Sequence, residues 1–146
     1  MIRRMTEADL PAAADLEQRY FSVPWTLEGL LESFRRPEYL FLVVEEEGKV
    51  IGYAGLSQVL DEGDVTNIVV DEAYQGRGLG TLLVNALLQE GEKRGIQTFT
   101  LEVRAGNRAA IHVYEKLGFE VEGVRRRFYE RPVEDALIMW KREPEQ

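Results

Sequence analysis

Apolar side chains recur at two spacings along the chain, and each spacing predicts a different kind of element. Intervals of three and four residues predict helices within residues 10–21, 26–36, 79–95 and 107–118. Alternation and dense β-branched or aromatic runs predict strands at residues 2–5, 39–44, 50–59, 65–70, 97–103, 119–127 and 135–140. Capping residues support the helix starts: Thr6 followed by Asp9, then Thr26, then Asn107.

The order of these elements, β-αα-βββ-α-β-α-ββ, predicts a fold class. Strands joined by short connections come first, and the acidic runs at residues 45–49 and 61–64 are expected to be solvated hairpin turns. A single β-α-β unit lies in the middle of the chain. We therefore predict an α+β fold with a mixed, mostly antiparallel sheet flanked by helices, in one domain over residues 1–146. The polar residues 142–146 are expected to fray.

Composition limits the chemistry that this chain can perform. It contains no cysteine and one histidine, His112, so thiolate zinc sites, a cysteine nucleophile and multi-histidine metal sites are excluded. The net charge of −8 argues against nucleic acid as the partner and is compatible with a basic peptide or an amine. No apolar run approaches the roughly 20 residues of a membrane helix. We expect a cytoplasmic protein that binds neither a membrane nor a metal.

A glycine-rich turn separates the fourth predicted strand from the third predicted helix, with the sequence Gln75-Gly76-Arg77-Gly78-Leu79-Gly80-Thr81. Glycines let a ligand approach the backbone, and the first amides of a helix have no intrahelical partner. With the helix dipole, such a turn suits a phosphate or pyrophosphate. A tight turn without a ligand is the alternative. The turn is not a Walker A loop, because no Gly-Lys-Ser/Thr follows, and its spacing does not match the dinucleotide-binding fingerprint.

The same turn resembles the Gln/Arg-x-x-Gly-x-Gly/Ala loop of the GCN5-related N-acetyltransferases, and the predicted order of elements also matches that family. The resemblance runs from about residue 2 to residue 140. Within the family, the chain is similar to the RimI branch, which acetylates the N-terminal alanine of a small-subunit ribosomal protein. The segments that carry this similarity are Pro24-Trp25, Asn67-Ile68-Val69-Val70-Asp71, Leu101-Glu102-Val103-Arg104, Asn107-Arg108-Ala109-Ala110-Ile111, Tyr114-Glu115-Lys116-Leu117-Gly118-Phe119, Arg126-Arg127-Phe128-Tyr129 and Glu134-Asp135-Ala136-Leu137-Ile138-Met139.

The resemblance implies acetyl-CoA as the acetyl donor and a set of residues that bind it. The pyrophosphate is expected on the turn formed by Gly76, Arg77, Gly78, Leu79, Gly80 and Thr81. The backbone of Ile68, Val69 and Val70 is expected to bond the pantetheine amides as a neighbouring strand would. Asn107 matches a further position that contacts the cofactor.

Two residues match the catalytic positions of the family. Glu102 corresponds to the general base, and its alternative role is that of a solvent-facing strand carboxylate. The task of that base is modest, because the pKa of an α-amine is about 8, against about 10.4 for lysine. Tyr114 corresponds to the general acid that assists the departing thiolate. Its alternative role is that of a core tyrosine, and the two roles are compatible.

Three further residues are expected to line the entrance for the acceptor: Trp25, Tyr129 and Glu134. The alternatives are aromatic packing for the first two and the end of a turn for Glu134. Two departures from the branch also lie in this region. Leu30 stands where the branch often has an aromatic residue, and Phe128 replaces the first of two paired tyrosines.

The resemblance therefore implies direct acetyl transfer to the N-terminal α-amine of a protein. The acceptor expected first is the N-terminal alanine of a small-subunit ribosomal protein. The absence of cysteine favours direct transfer over a covalent acetyl-enzyme. Other acceptors stay open: different protein N-termini, a lysine side chain or a small amine. A non-catalytic acetyl-CoA-binding module is the alternative of another class. We expect a monomer or a weak dimer.

Overall fold

The computed structural model describes residues 1–130 and 132–142. Its strands are β1 (Ile2–Arg4), β2 (Tyr39–Glu46), β3 (Lys49–Val59), β4 (Glu62–Val70), β5 (Thr98–Arg104), β6 (Glu120–Tyr129) and β7 (Glu134–Arg142). Its α-helices are α1 (Leu10–Tyr20), α2 (Leu27–Phe34), α3 (Leu79–Lys93) and α4 (Arg108–Lys116), and short 3-10 helices lie at Glu7–Asp9 and Glu72–Tyr74. One sheet contains these strands in the order β1-β2-β3-β4-β5-β7-β6. Among the strands of the described residues, only β4 and β5 pair in parallel, so the predicted α+β fold with a mostly antiparallel sheet is confirmed.

Side-chain caps begin two of the helices as predicted. The Thr26 hydroxyl accepts a hydrogen bond from the Gly29 amide at 3.0 Å at the start of α2. The Asn107 carbonyl oxygen accepts one from the Ala110 amide at 3.2 Å at the start of α4. These bonds satisfy amides that have no partner within the helix. The capping residues therefore account for the starts of α2 and α4, which lie within one residue of the predicted ones.

The two acidic runs are shorter turns than expected, and this is a correction. Glu62 to Asp64 belong to β4, and the turn before them contains Leu60, whose backbone is left-handed with φ 56°. Gly63 is buried, and a Cβ there would lie 3.0 Å from the side chains of Leu56 and Ile96, so this position faces the core. Likewise, only residues 47 and 48 separate β2 from β3. The acidic residues were therefore a poor guide to where these strands begin and end.

The C-terminal hairpin also differs from the prediction. β6 continues to Tyr129, which lies on the strand rather than in the connection. β7 begins at Glu134 and includes Arg142. Of the predicted frayed tail, residues 143–146 lie outside the described residues.

The sheet is covered on both faces. α3 and α4 pack on one face, with Leu83, Leu87 and Tyr114 among the buried residues there. α1 and α2 pack on the other, with Leu16 and Leu30 among its buried residues. Because both faces are covered, β2 is continuously apolar from Tyr39 to Val44 rather than alternating. None of the described helices is long and apolar enough to span a bilayer.

The central strands separate, and this opens the cleft that holds the site. β4 and β5 pair only at Glu62 with Thr98, Gly63 with Phe99, and Asp64 with Thr100. On the other side of β4, Leu56 pairs with Val65 and Gly55 pairs with Asn67, so Thr66 is an extra residue. An extra residue of this kind is a β-bulge, which bends its strand. The bulge follows the last β4–β5 pair and accounts for the divergence.

Candidate active site

Two cavities meet where β4 and β5 diverge. The β4–β5 cavity has a volume of about 370 Å³ and lies between the diverging strands and the connection from α1 to α2. The glycine-loop cavity, of about 530 Å³, lies between the end of β4, the start of α3 and α4. Both are lined by the same five residues at their junction: Tyr20, Phe21, Ile68, Asn107 and Tyr114. A ligand that enters by one cavity can therefore reach a ligand in the other.

The glycine-rich turn borders open space. Gly76 and Gly78 have left-handed backbones, with φ 83° and 73°, and Gly78 is the residue before the first turn of α3. A Cβ at Gly76, Gly78 or Gly80 would meet no atom within 4 Å. The turn therefore leaves room beside the unpaired amides of a 15-residue helix. This cradle fits an anionic group such as a pyrophosphate.

Most of the predicted cofactor residues line the glycine-loop cavity. They are Ile68, Val69, Val70, Gly76, Gly78, Leu79, Gly80, Thr81 and Asn107. Arg77 is not among the lining residues. Its guanidinium donates to both oxygens of Glu46 on β2, at 2.5 and 2.8 Å, and this contact lowers the pKa of the Glu46 carboxyl. The charge of Arg77 is thus engaged away from the cradle.

Glu102 lines the β4–β5 cavity. Its neighbours Leu101 and Val103 are buried on the opposite face of β5, as the alternation predicts. The Glu102 side chain is 29% exposed, and its Oε1 lies 3.1 Å from Nε of Arg125 on β6. This contact orients a carboxylate that stays accessible from the cavity.

Tyr114 is both a core residue and a lining residue of both cavities. Its ring packs edge-to-face on Phe119, with 5.9 Å between centroids. Within the described residues its hydroxyl makes no hydrogen bond, and burial raises the pKa of Tyr114 well above its ordinary value. The hydroxyl therefore keeps its proton at neutral pH and can offer it to a ligand.

The predicted acceptor residues separate into two groups. Trp25 and Tyr129 line the β4–β5 cavity, whereas Glu134 does not. The Glu134 carboxylate accepts the Gly106 amide at 2.6 Å and lies 3.3 Å from Nη1 of Arg104. Glu134 thus closes the turn after β5, which is the alternative role considered for it. Arg104 also lies over the Tyr129 ring, 4.5 Å from its centroid.

The acetyltransferase (GNAT) family model matches residues 10–119 of the chain. The chain belongs to the GNAT family. It is 44% identical over 140 residues to the [ribosomal protein bS18]-alanine N-acetyltransferase of Escherichia coli K12, with 94% of each chain covered. Against the enzyme of that name from Haemophilus influenzae the identity is 35% over 142 residues, with 95% and 96% covered.

The crystal structure of the ribosomal-protein-S18-alanine N-acetyltransferase from E. coli shares the fold of this GNAT chain. The TM-score is 0.91 at 40% identity, and the match covers 100% of this chain and 95% of the other. GNAT enzymes use acetyl-CoA as the acetyl donor. The glycine cradle and the open edge of β4 fit that donor, because they offer unpaired amides to its phosphates and its pantetheine arm.

Sequence patterns missed one carboxylate in this GNAT site, that of Glu17. It is 1% exposed on α1 and lines the β4–β5 cavity. Burial raises the pKa of Glu17, and hydrogen bonds from Tyr53 and Asn67 oppose that change. The available signal was its place on the apolar face of α1, in line with Ala13 and one residue after Leu16. A charged residue at a buried helical position requires a buried partner.

Tyr20 was also missed, although it lines both cavities. Its hydroxyl donates to the Asp71 carboxylate at 3.1 Å and accepts the Glu72 amide at 2.9 Å. These bonds tie the end of α1 to the end of β4. Tyr20 therefore helps to fix the junction at which the two cavities meet.

Proposed function

We propose that this GNAT enzyme transfers the acetyl group of acetyl-CoA to the N-terminal alanine of ribosomal protein bS18. The observation that carries the choice of acceptor is similarity over nearly the whole length to an enzyme named for this reaction, at 44% identity. The net charge of −8 suits the attraction of a basic ribosomal N-terminus. With this acceptor goes the expectation of a cytoplasmic enzyme, monomeric or weakly dimeric, that needs no metal.

The donor is expected along the glycine-loop cavity. Acetyl-CoA supplies an activated thioester, and this chain supplies the groups that hold it. Backbone amides from Gly76 to Thr81 would bind the pyrophosphate. The unpaired edge of β4 at residues 68–70 would bond the pantetheine amides, and Asn107 would add a contact at the junction of the cavities.

Glu102 is proposed as the general base and Tyr114 as the general acid. The carboxylate faces the cavity that the acceptor would enter, where it can take a proton from the α-ammonium directly or through one water. The hydroxyl of Tyr114, which keeps its proton at neutral pH, can then protonate the sulfur that leaves. Trp25 and Tyr129 would flank the first residues of the peptide.

Mass spectrometry of mixtures with acetyl-CoA tests the acceptor. We expect a peptide with the bS18 N-terminus to gain one acetyl group at its α-amine, with release of CoA. One control is the same peptide with its N-terminus blocked and a lysine included, which tests a side-chain amine. The other control is spermidine, which tests a small amine. Acetylation of those controls but not of the α-amine would contradict the proposed acceptor. Binding of CoA without turnover on any amine would instead favour a non-catalytic module.

Gly80→Asp tests the proposed phosphate site. A Cβ at Gly80 meets no atom within 4 Å, and an acid in the first turn of a helix favours the helix, so the variant is expected to fold. Its negative charge would face the pyrophosphate. We expect the Kd for CoA, measured by calorimetry, to rise about tenfold or more.

The matched control for that variant is Gln89→Glu, which adds the same charge at an exposed position near the other end of α3. We expect its Kd for CoA to stay within twofold of the wild type. An unchanged Kd in Gly80→Asp would mean that the phosphates bind elsewhere.

A further inference from the structure

A carboxylate is buried in the wall of the β4–β5 cavity, where the proposed reaction gives it no role. Oε1 of Glu17 accepts hydrogen bonds from the Tyr53 hydroxyl and from Nδ2 of Asn67. The carboxylate also accepts the backbone N–H of Trp25. Within the described residues no ion pair joins Glu17 to a cationic side chain. Three donors thus converge on one acid group.

These donors belong to different parts of the molecule. Tyr53 lies on β3, and Asn67 lies on β4 beside the bulge at Thr66. Trp25 lies in the connection from α1 to α2 and lines the cavity with Glu102. The Glu17 side chain therefore joins Trp25, in the wall of the cavity, to β4, the strand that separates from β5.

The rest of that connection is held at its other end. The Ser22 hydroxyl contacts the hairpin of β6 and β7 through the Glu130 carbonyl oxygen, at 3.2 Å, and it accepts Nη2 of Arg104 at 2.9 Å. These contacts fix the segment near Ser22, three residues before Trp25. At the other end of the segment, Trp25 packs against the core cluster that contains Leu16 and Val69, and its backbone contacts the Glu17 carboxylate.

Stability alone does not explain a carboxylate at this position. An apolar side chain would fill the buried face of α1 without the cost of removing a charge from water. The carbonyl oxygen of Asn67 has no partner within the described residues, so its amide is oriented through the nitrogen, which donates to Glu17 and also contacts the Tyr53 hydroxyl. The hydrogen bonds therefore determine the position of cavity residues as well as the packing of the helix.

We propose that Glu17 is a positioning residue for the acceptor, which holds Trp25 against β4 and so sets the width of the cavity opposite Glu102. This inference rests on the proposed function, in which the acceptor peptide enters the β4–β5 cavity. Glu17 acts through Trp25 and Asn67, and it contacts no reacting atom.

Glu17→Gln separates this role from a purely structural one. Glutamine has one acceptor oxygen, and its amide nitrogen can accept nothing, so at least one of the three donors is left unpaired. We expect the KM for the acceptor peptide to rise about tenfold while the KM for acetyl-CoA stays within twofold. A smaller fraction of folded enzyme would instead lower the apparent kcat and leave the KM of each substrate unchanged.

A second measurement needs no acceptor. The chain has two tryptophans, Trp25 and Trp140, so Trp140→Phe leaves Trp25 as the sole reporter. In that background we expect Glu17→Gln to shift the emission to longer wavelength and to increase quenching by acrylamide. The control Asp15→Asn changes an exposed acid of α1 to its amide and is expected to alter neither signal nor either KM.

These two measurements distinguish the possible failures. Unchanged fluorescence together with an unchanged peptide KM in Glu17→Gln would overturn the inference. No turnover by the wild type on any peptide would overturn the proposed function, and the fluorescence would still report whether Glu17 holds Trp25. If Glu17→Gln does not fold, Tyr53→Phe removes one donor and is expected to raise the peptide KM about threefold. An unchanged KM in that variant would also contradict the inference.

Discussion

Glu102→Gln is expected to lower kcat/KM for the bS18 peptide about 100-fold at neutral pH while the Kd for CoA stays within twofold. The amide cannot accept a proton, and a positioned base contributes roughly 100- to 10,000-fold. The low end applies because an α-amine with a pKa of about 8 is already partly uncharged near pH 7. The loss should therefore shrink as the pH rises to about 9, where the solvent deprotonates the amine. Release of free thiol, followed against pH, measures this effect.

Glu122→Gln on β6 is the matched control for that variant. It makes the same change at a carboxylate that pairs with Arg142 and lies outside both cavities. Its rate is expected to equal that of the wild type. The contact between Glu102 and Arg125 is partly exposed, so its loss costs roughly 0–1 kcal/mol and does not unfold the protein. Full activity of Glu102→Gln on the peptide would show that another group takes the proton.

Sequence periodicity predicts the elements of this fold but not the shape of the cleft. The spacing of apolar residues and the caps at Thr26 and Asn107 place the helices, because those signals are local. The cleft depends on an extra residue in β4, at Thr66, and on the point where β5 ceases to pair. A bulge is defined by its partner strand, and no pattern within residues 65–70 indicates it.

The polar residues proposed for the site also show what sequence patterns can and cannot predict. Alternation predicts that Glu102 lies opposite Leu101, and helical spacing predicts that Tyr114 faces inward, and both are observed. The partners of Arg77 and Glu134, in contrast, are not predicted by these patterns. Arg77 pairs with a residue 31 positions away, and Glu134 accepts an amide 28 positions away. Such pairs arise from the tertiary structure, so sequence position alone cannot tell a ligand-binding charge from a structural one.

Tyr114→Phe is expected to lower kcat about 30-fold with little change in the Kd for CoA. The variant keeps the ring that packs on Phe119 and removes the proposed proton donor for the leaving sulfur. The loss is smaller than for Glu102→Gln because a thiol of ordinary pKa, about 8.5, leaves as a thiolate without much help. Burial raises the pKa of Tyr114 above 10, so the wild type should lose no rate through this phenol between pH 8 and 10.

Thermal unfolding separates the proposed catalytic role of Tyr114 from its role in the core. Within the described residues the hydroxyl has no hydrogen bond to lose, so the Tm of Tyr114→Phe should match that of the wild type. Tyr39→Phe, at the start of β2 and stacked on Phe41, is the matched control and should retain full kcat. A lower Tm with an unchanged kcat would mean that Tyr114 serves only the core. A lower kcat at an unchanged Tm is the result that its position at the junction of the two cavities predicts, because the proposed reaction uses that hydroxyl and the core does not.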